Sequence, residues 1–272
     1  MSKSRLVPAA LAAALACAAP AWSQFSAQEF TSAQKDPRAF TLDEKSVTIE
    51  KLGPVVGPLA LPTPPRPPAN DGGGGGIGLP GLDQIINTGL KLWKIIVDNK
   101  PVVDINTQYA TALPKGLKGW TDMAGWLPPA GMVYEMSAKN LYGMKVIDLR
   151  YQVLRTYGGS YDGTGRYLTA VTIQPLLVNV AWGYHFSMES SVPDTSIVNV
   201  GTSADPVAGL TAQLGWRIST TLKDSSGQSL YFLQGDGAFR EVGAPFSAES
   251  LKNARAAAES IAPADSKPAR FD

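Results

Sequence analysis

The chain has 272 residues, 24 of them basic and 23 acidic, for a formal net charge of +1. That balance, with no Lys/Arg cluster to offset it, excludes the electrostatic footprint of a nucleic-acid-binding protein. Only 17% of the residues are charged, against 27 Gly and 21 Pro, which suits strands and loops better than solvated helices.

Residues 1–23 read as a bacterial-type secretory leader. Lys3 and Arg5 give a basic start, Leu6 to Pro20 is nearly all Ala and Leu, and Ala21-Trp22-Ser23 has the small-x-small form of a cleavage site. The expected location is therefore periplasmic or extracellular, in association with the cell envelope. The only cysteine, Cys17, lies inside the leader, so cleavage after Ser23 removes disulfides, cysteine metal sites and thiol nucleophiles together. Acylation of Cys17 is the alternative, but Leu15 stands two residues before it where a lipobox places leucine three before. No later segment reaches the ~20 apolar residues of a membrane-spanning helix.

Residues 24–81 read as an extended polar stretch followed by a Pro/Gly-rich tether that begins at Pro54. The stretch to Gly53 is polar and mixed, with Phe40-Thr41-Leu42 and Val47-Thr48-Ile49 as short extended pieces suited to an edge strand. Pro62, Pro64, Pro65, Pro67 and Pro68 then favour a stiff polyproline rod, and Gly72 to Gly76 a flexible joint. The spacing of Leu82, Ile85, Ile86, Leu92, Trp93 and Ile96 predicts an amphipathic helix over 82–98, closed by Asn99-Lys100-Pro101. It opens a β-rich domain over 82–246.

Beyond Pro101 the period becomes two. Val178, Val180, Trp182, Tyr184, Phe186 and Met188 share one face of a predicted strand. Leu210, Ala212, Leu214, Trp216, Ile218, Thr220 and Leu222 share one face of another. Ile147 to Val153 alternate likewise, as do Tyr167 to Ile173, which stop or bulge at Pro175. Turns are expected across Gly158–Gly165 and across Asp224-Ser225-Ser226-Gly227. Residues 247–262 read as a C-terminal helix capped by Ser247 and closed by Pro263, before a polar tail to 272. The predicted fold is mainly β: an antiparallel β-sandwich-like domain of about seven strands between Val102 and Val242, with a flanking N-terminal helix and a C-terminal helix.

The mature chain holds one histidine, His185, on the small polar side of its strand. A general base needs a partner and an orienting group, and nothing nearby in sequence supplies either. One His and no Cys also disfavour zinc. Gly73-Gly74-Gly75-Gly76-Ile77-Gly78 matches G-x-G-x-x-G only because it is a glycine run, with no strand before it. Asp162-Gly163 and Asp236-Gly237 are explained by hairpin chemistry without calcium. No metal or cofactor is expected. Asp148, Glu135 and Glu189 are the only acids worth naming for hydrolysis.

Trp182, Tyr184 and Phe186 read as core, because they continue an aliphatic row. Gly119-Trp120 and Gly125-Trp126, followed by Pro128-Pro129, read differently: two tryptophans on glycine hinges make a ligand or partner surface. The expectation is an exported, non-enzymatic binding or structural protein that engages an envelope protein or a surface glycan through Trp120 and Trp126. The alternatives are a membrane-associated β-protein, as a barrel or a pore-forming hairpin, and a carbohydrate or peptidoglycan hydrolase.

Overall fold

The computed structural model describes residues 25–55, 81–102, 108–117 and 119–242. The leader, the Pro/Gly tract and the expected C-terminal helix lie outside the described residues. The first elements are α1 (Ala27–Lys35), β1 (Leu42–Pro54), β2 (Gly81–Ile86), β3 (Leu92–Val97), β4 (Lys100–Pro101) and β5 (Ala110–Lys115). Next come β6 (Met123–Ala124), β7 (Ala130–Asn140), β8 (Lys145–Tyr161), β9 (Thr164–Val180) and β10 (His185–Ser191). The last are β11 (Val198–Asn199), β12 (Ala208–Ser219), β13 (Asp224–Gln234) and β14 (Phe239–Glu241).

These strands form two antiparallel sheets of seven described strands each. Sheet one runs β1-β7-β8-β9-β5-β2 with β6 on β8, and sheet two runs β14-β13-β12-β10-β3-β4 with β11 on β12. Their inner faces share one apolar core, so the fold is the expected sandwich. Ile147, Leu149, Tyr151 and Val153 of β8 are buried, as are Tyr167, Thr169, Val171 and Ile173 of β9 and Leu210 to Ile218 on alternate positions of β12. Asp162 and Gly163 both take positive φ, 47° and 74°, and close the long β8–β9 hairpin in two residues. At Pro175 the strand bulges and continues: Tyr151 faces Pro175, Arg150 faces Leu177, and Leu176 between them is exposed.

A polar seam crosses the core. The Tyr151 and Tyr231 hydroxyls meet at 2.6 Å from opposite sheets, and the Tyr134 hydroxyl donates to Glu241 Oε1 at 2.8 Å. Burial raises all three phenols well above their ordinary range, so they stay neutral: Tyr134 donates to Glu241, and one of Tyr151 and Tyr231 donates to the other. Arg155 lies between the Tyr157 and Phe239 rings and donates to the Gly237 carbonyl at 2.6 Å.

Four expectations are corrected. Residues 24–53 are more than an extended polar stretch: they form α1 and the 13-residue edge strand β1, which contains the expected Val47-Thr48-Ile49 piece. The cause of α1 is a capping box, in which the Ser26 hydroxyl takes the Glu29 N–H and the Glu29 carboxylate takes the Ser26 N–H. The helix expected over 82–98 is instead the strands β2 and β3. In β3 a bulge opposite Met188 and Glu189 buries Ile95 and Ile96 together. That bulge turns a period of two into the Trp93-to-Ile96 spacing of three, which imitates a helix.

The third correction concerns Val178–Met188, which is two strands. β9 ends at Val180 in sheet one, and β10 starts at His185 in sheet two. The fourth concerns the β12–β13 turn, which lies at Thr220–Lys223 rather than Asp224–Gly227. The Thr220 hydroxyl takes the N–H groups of Leu222 and Lys223, while Ser225 to Gly227 pair with Ile218 to Trp216.

Gly89, between β2 and β3, tests the first of these two strand assignments. A Cβ there would fall on the Tyr109 carbonyl. Gly89→Ala should therefore destabilise the fold by about 1–3 kcal/mol through overpacking, read as a lower urea midpoint. In an exposed helix the same change would stabilise by about 1 kcal/mol, so the sign of the shift decides.

Candidate functional site

One end of the sandwich gathers four segments: the stretch Asp36–Thr41, the β3–β4 turn at Asp98-Asn99, the β7–β8 turn Leu141–Met144 and the crossover Ala181–Tyr184. Asn140 organises the β7–β8 turn. Its side-chain oxygen takes the N–H groups of Tyr142 and Met144 at 3.0 and 3.1 Å, and its amide donates to the Ala39 carbonyl at 3.2 Å. The Leu141 N–H donates to Thr41 at 3.1 Å. Arg38 donates to the Leu141 carbonyl and stands 4.8 Å above the Tyr142 ring, whose hydroxyl reaches Asp36 at 3.0 Å.

The crossover is pinned as firmly. The Ala181 N–H donates to the Val146 carbonyl at 2.8 Å, and the Tyr184 N–H to Ala181 at 3.1 Å. Gly183 takes φ 82°, and a Cβ there would fall inside the Phe40 ring. Phe40 in turn meets Trp182 edge-on at 5.6 Å. The result is a rim of Leu141, Tyr142, Met144 and Trp182, each 44–55% exposed on turns whose backbones are held. Sequence reasoning placed Trp182 in the core, and the structure corrects this: it is exposed, whereas Tyr184 and Phe186 are buried.

His185 sits beside the rim, and the fold gives it the partners that sequence could not. Nδ1 lies 2.6 Å from Asp98 Oδ1 and Nε2 lies 3.2 Å from Glu29 Oε1, with the Phe25 ring edge-on at 4.7 Å. Both ring nitrogens face carboxylate oxygens. With no nitrogen left for a substrate, the group works as a strut between α1, the β3–β4 turn and β10. Asp98 and Asn99 take φ 49° and 65°, and the Asn99 side chain brackets the β10 start through the Tyr184 carbonyl and the Phe186 N–H.

The other sequence candidates lie elsewhere. Glu135 and Asp148 belong to a surface ion ladder on sheet one, with Lys145 and Arg150 at 3.2–3.5 Å. Glu189 is exposed on the outer face of sheet two. Trp126 is at the opposite end of the β8–β9 hairpin from the rim. It is half-buried over Gly159, where a Cβ would meet its ring. The Trp120 backbone begins a short 3-10 turn to Asp122, and its side chain lies outside the described residues. Trp126 and Trp182 therefore do not share one surface. Among the described residues no group of three or more His, Cys, Asp or Glu is placed to hold a metal ion, and no helix is long and apolar enough to cross a membrane. The chain matches no protein-family model, no curated protein and no solved structure.

The strut has a pH signature. Burial pushes the Glu29 carboxyl up, but the Ser26 N–H and hydroxyl and the His185 ring outweigh it and hold the carboxyl below its ordinary value. A depressed carboxylate stabilises the fold above its unfolded pKa and loses that contribution as pH falls through its folded one. Glu29→Gln should thus cost about 1–3 kcal/mol at pH 7. The gap from wild type should close on acidification through the carboxylate range, read from urea midpoints across pH 3 to pH 7.

Proposed function

We propose that the mature chain is an exported, non-enzymatic binding protein of the cell envelope, and that it engages a protein partner through the rim. The observation that carries this reading is the rim itself. Four large apolar side chains stand in solvent on turns fixed by Asn140, Arg38 and Phe40. Aromatic and apolar anchors that are ordered before binding lose little entropy when a partner covers them, which is what a recognition surface needs. The export half of the reading rests on residues 1–23. Hydrolysis gains no support from Glu135 and Asp148, which are committed to Lys145 and Arg150.

The loop of Trp120 and Trp126 is the rival anchor pair, and the two ends can be compared directly. A photo-crosslinking residue at position 142 or 182 of the full chain, expressed in its native cell, should capture one discrete envelope protein, and one at position 127 should not. Tyr142→Ala with Trp182→Ala should then weaken binding to that protein at least tenfold while leaving the circular dichroism spectrum that of the folded sandwich. Full binding by this variant, with loss only in Trp120→Ala/Trp126→Ala, moves the surface to the other end. Capture of lipid in place of protein favours the membrane-associated alternative.

A further inference from the structure

The outer face of sheet two carries a second feature, along β10 from the His185 strut. A trough of about 520 Å³ crosses β3, β10, β12 and β13. Four adjacent strands at 4.7–4.9 Å spacing give it a span of roughly 14 Å. Register defines its walls. Lys94 faces Glu189 across β3 and β10, and Glu189 faces Gly215 across β10 and β12. Next along the strands, Arg217 stands between Ser187 on β10 and Ser226 on β13. All of these side chains are exposed. Gly215 is the gap in an otherwise continuous row of outward side chains.

Packing does not require that gap. A Cβ on Gly215 would meet nothing nearer than Glu189 Cγ at 3.8 Å, an ordinary contact. The strand glycines Gly131, Gly159 and Gly209 differ, since a Cβ on each would strike a neighbouring side chain at under 3.0 Å. A glycine in a strand interior weakens the strand unless something must approach the backbone closely. The surrounding charges are equally uncommitted. Among the described residues Lys94 and Glu189 enter no ion pair, and Arg217 reaches only Asp224, at 3.9 Å with both groups in solvent.

We propose that this trough binds an acidic saccharide. A sugar ring laid over Gly215 would rest on bare backbone. Its carboxylate would pair with Arg217 or Lys94, and its hydroxyls, donor and acceptor in one group, would meet Glu189, Ser187 and Ser226. A neutral sugar leaves both cations unused.

The test uses the full mature chain and a panel of oligogalacturonate, a muramic-acid disaccharide, neutral maltotetraose and an acidic peptide. Amide chemical shifts of Glu189, Gly215 and Gly227 should move with an acidic saccharide and not with maltotetraose. Arg217→Ala should weaken that binding at least tenfold. Gly215→Thr should abolish it while raising the melting temperature by about 2 °C, because a strand former replaces glycine where space exists. Tyr142→Ala/Trp182→Ala should leave it intact, which separates this site from the rim. The proposal is overturned if no acidic saccharide binds at millimolar concentration, if binding survives Gly215→Thr, or if only the acidic peptide moves these amides.

Discussion

Between Val180 and His185 the chain leaves one sheet and enters the other, and most of what distinguishes this sandwich is arranged around that crossing. A tight crossover exposes backbone groups that a strand would have paired, and each must find a partner. Ala181 uses Val146, Tyr184 turns back on Ala181, and Asn99 supplies the donor and acceptor that bracket the first residues of β10. Tyr184 is buried, and burial pushes its phenol up to about 12, so the neutral hydroxyl donates to the Ala39 carbonyl at 2.8 Å. Phe40 fills the space that Gly183 leaves. The segment after α1 is thus fastened to the crossover by backbone, phenol and ring together, and the rim inherits its order from these contacts.

The two ends of the molecule are tied in different ways. At the crossover end, short polar side chains satisfy turn backbone and leave the large apolar side chains outside. At the other end, rings fold inward: Trp126 covers Gly159, and Tyr157 lies against Gly237. Arg155 between Tyr157 and Phe239 shows why that end stays closed. A guanidinium removed from water needs compensation, and two ring faces plus the Gly237 carbonyl provide it only while the rings stay in place.

Much of the sandwich is legible in the sequence, and the misreadings have definite causes. Alternation identifies β8, β9 and β12 because each buries one face along many residues, and Asp162-Gly163 marks a two-residue turn. The stretch Val178–Met188 reads as one strand because the crossover inserts four residues, an even number. Val178 and Val180 therefore keep phase with Tyr184, Phe186 and Met188, and only Trp182 betrays the break. The β3 bulge imitates a helical spacing in the same local way. Ser26 and Glu29, in contrast, form a capping box at the spacing S-x-x-E, a local signal for α1 that the extended reading of this stretch passes over.

The site is less legible than the fold because its partners are distant in sequence. Glu29 and Asp98 meet His185 from 156 and 87 positions away, and no local pattern announces such a meeting. The same is true of Phe40 with Gly183, and of Arg38 with Tyr142. What sequence does carry is the negative form of the signal. A glycine inside a strand or a tryptophan that continues an aliphatic row is locally indistinguishable from a packing choice, and only the neighbours decide. Gly209 answers to Phe232, and Gly159 to Trp126, so both are explained by the core. Gly215 and Trp182 have no such explanation in the core. Gly215 leaves open sheet surface, and Trp182 meets Phe40 edge-on while about half of it stays in solvent; the proposed trough and the proposed rim rest on these two departures from core packing.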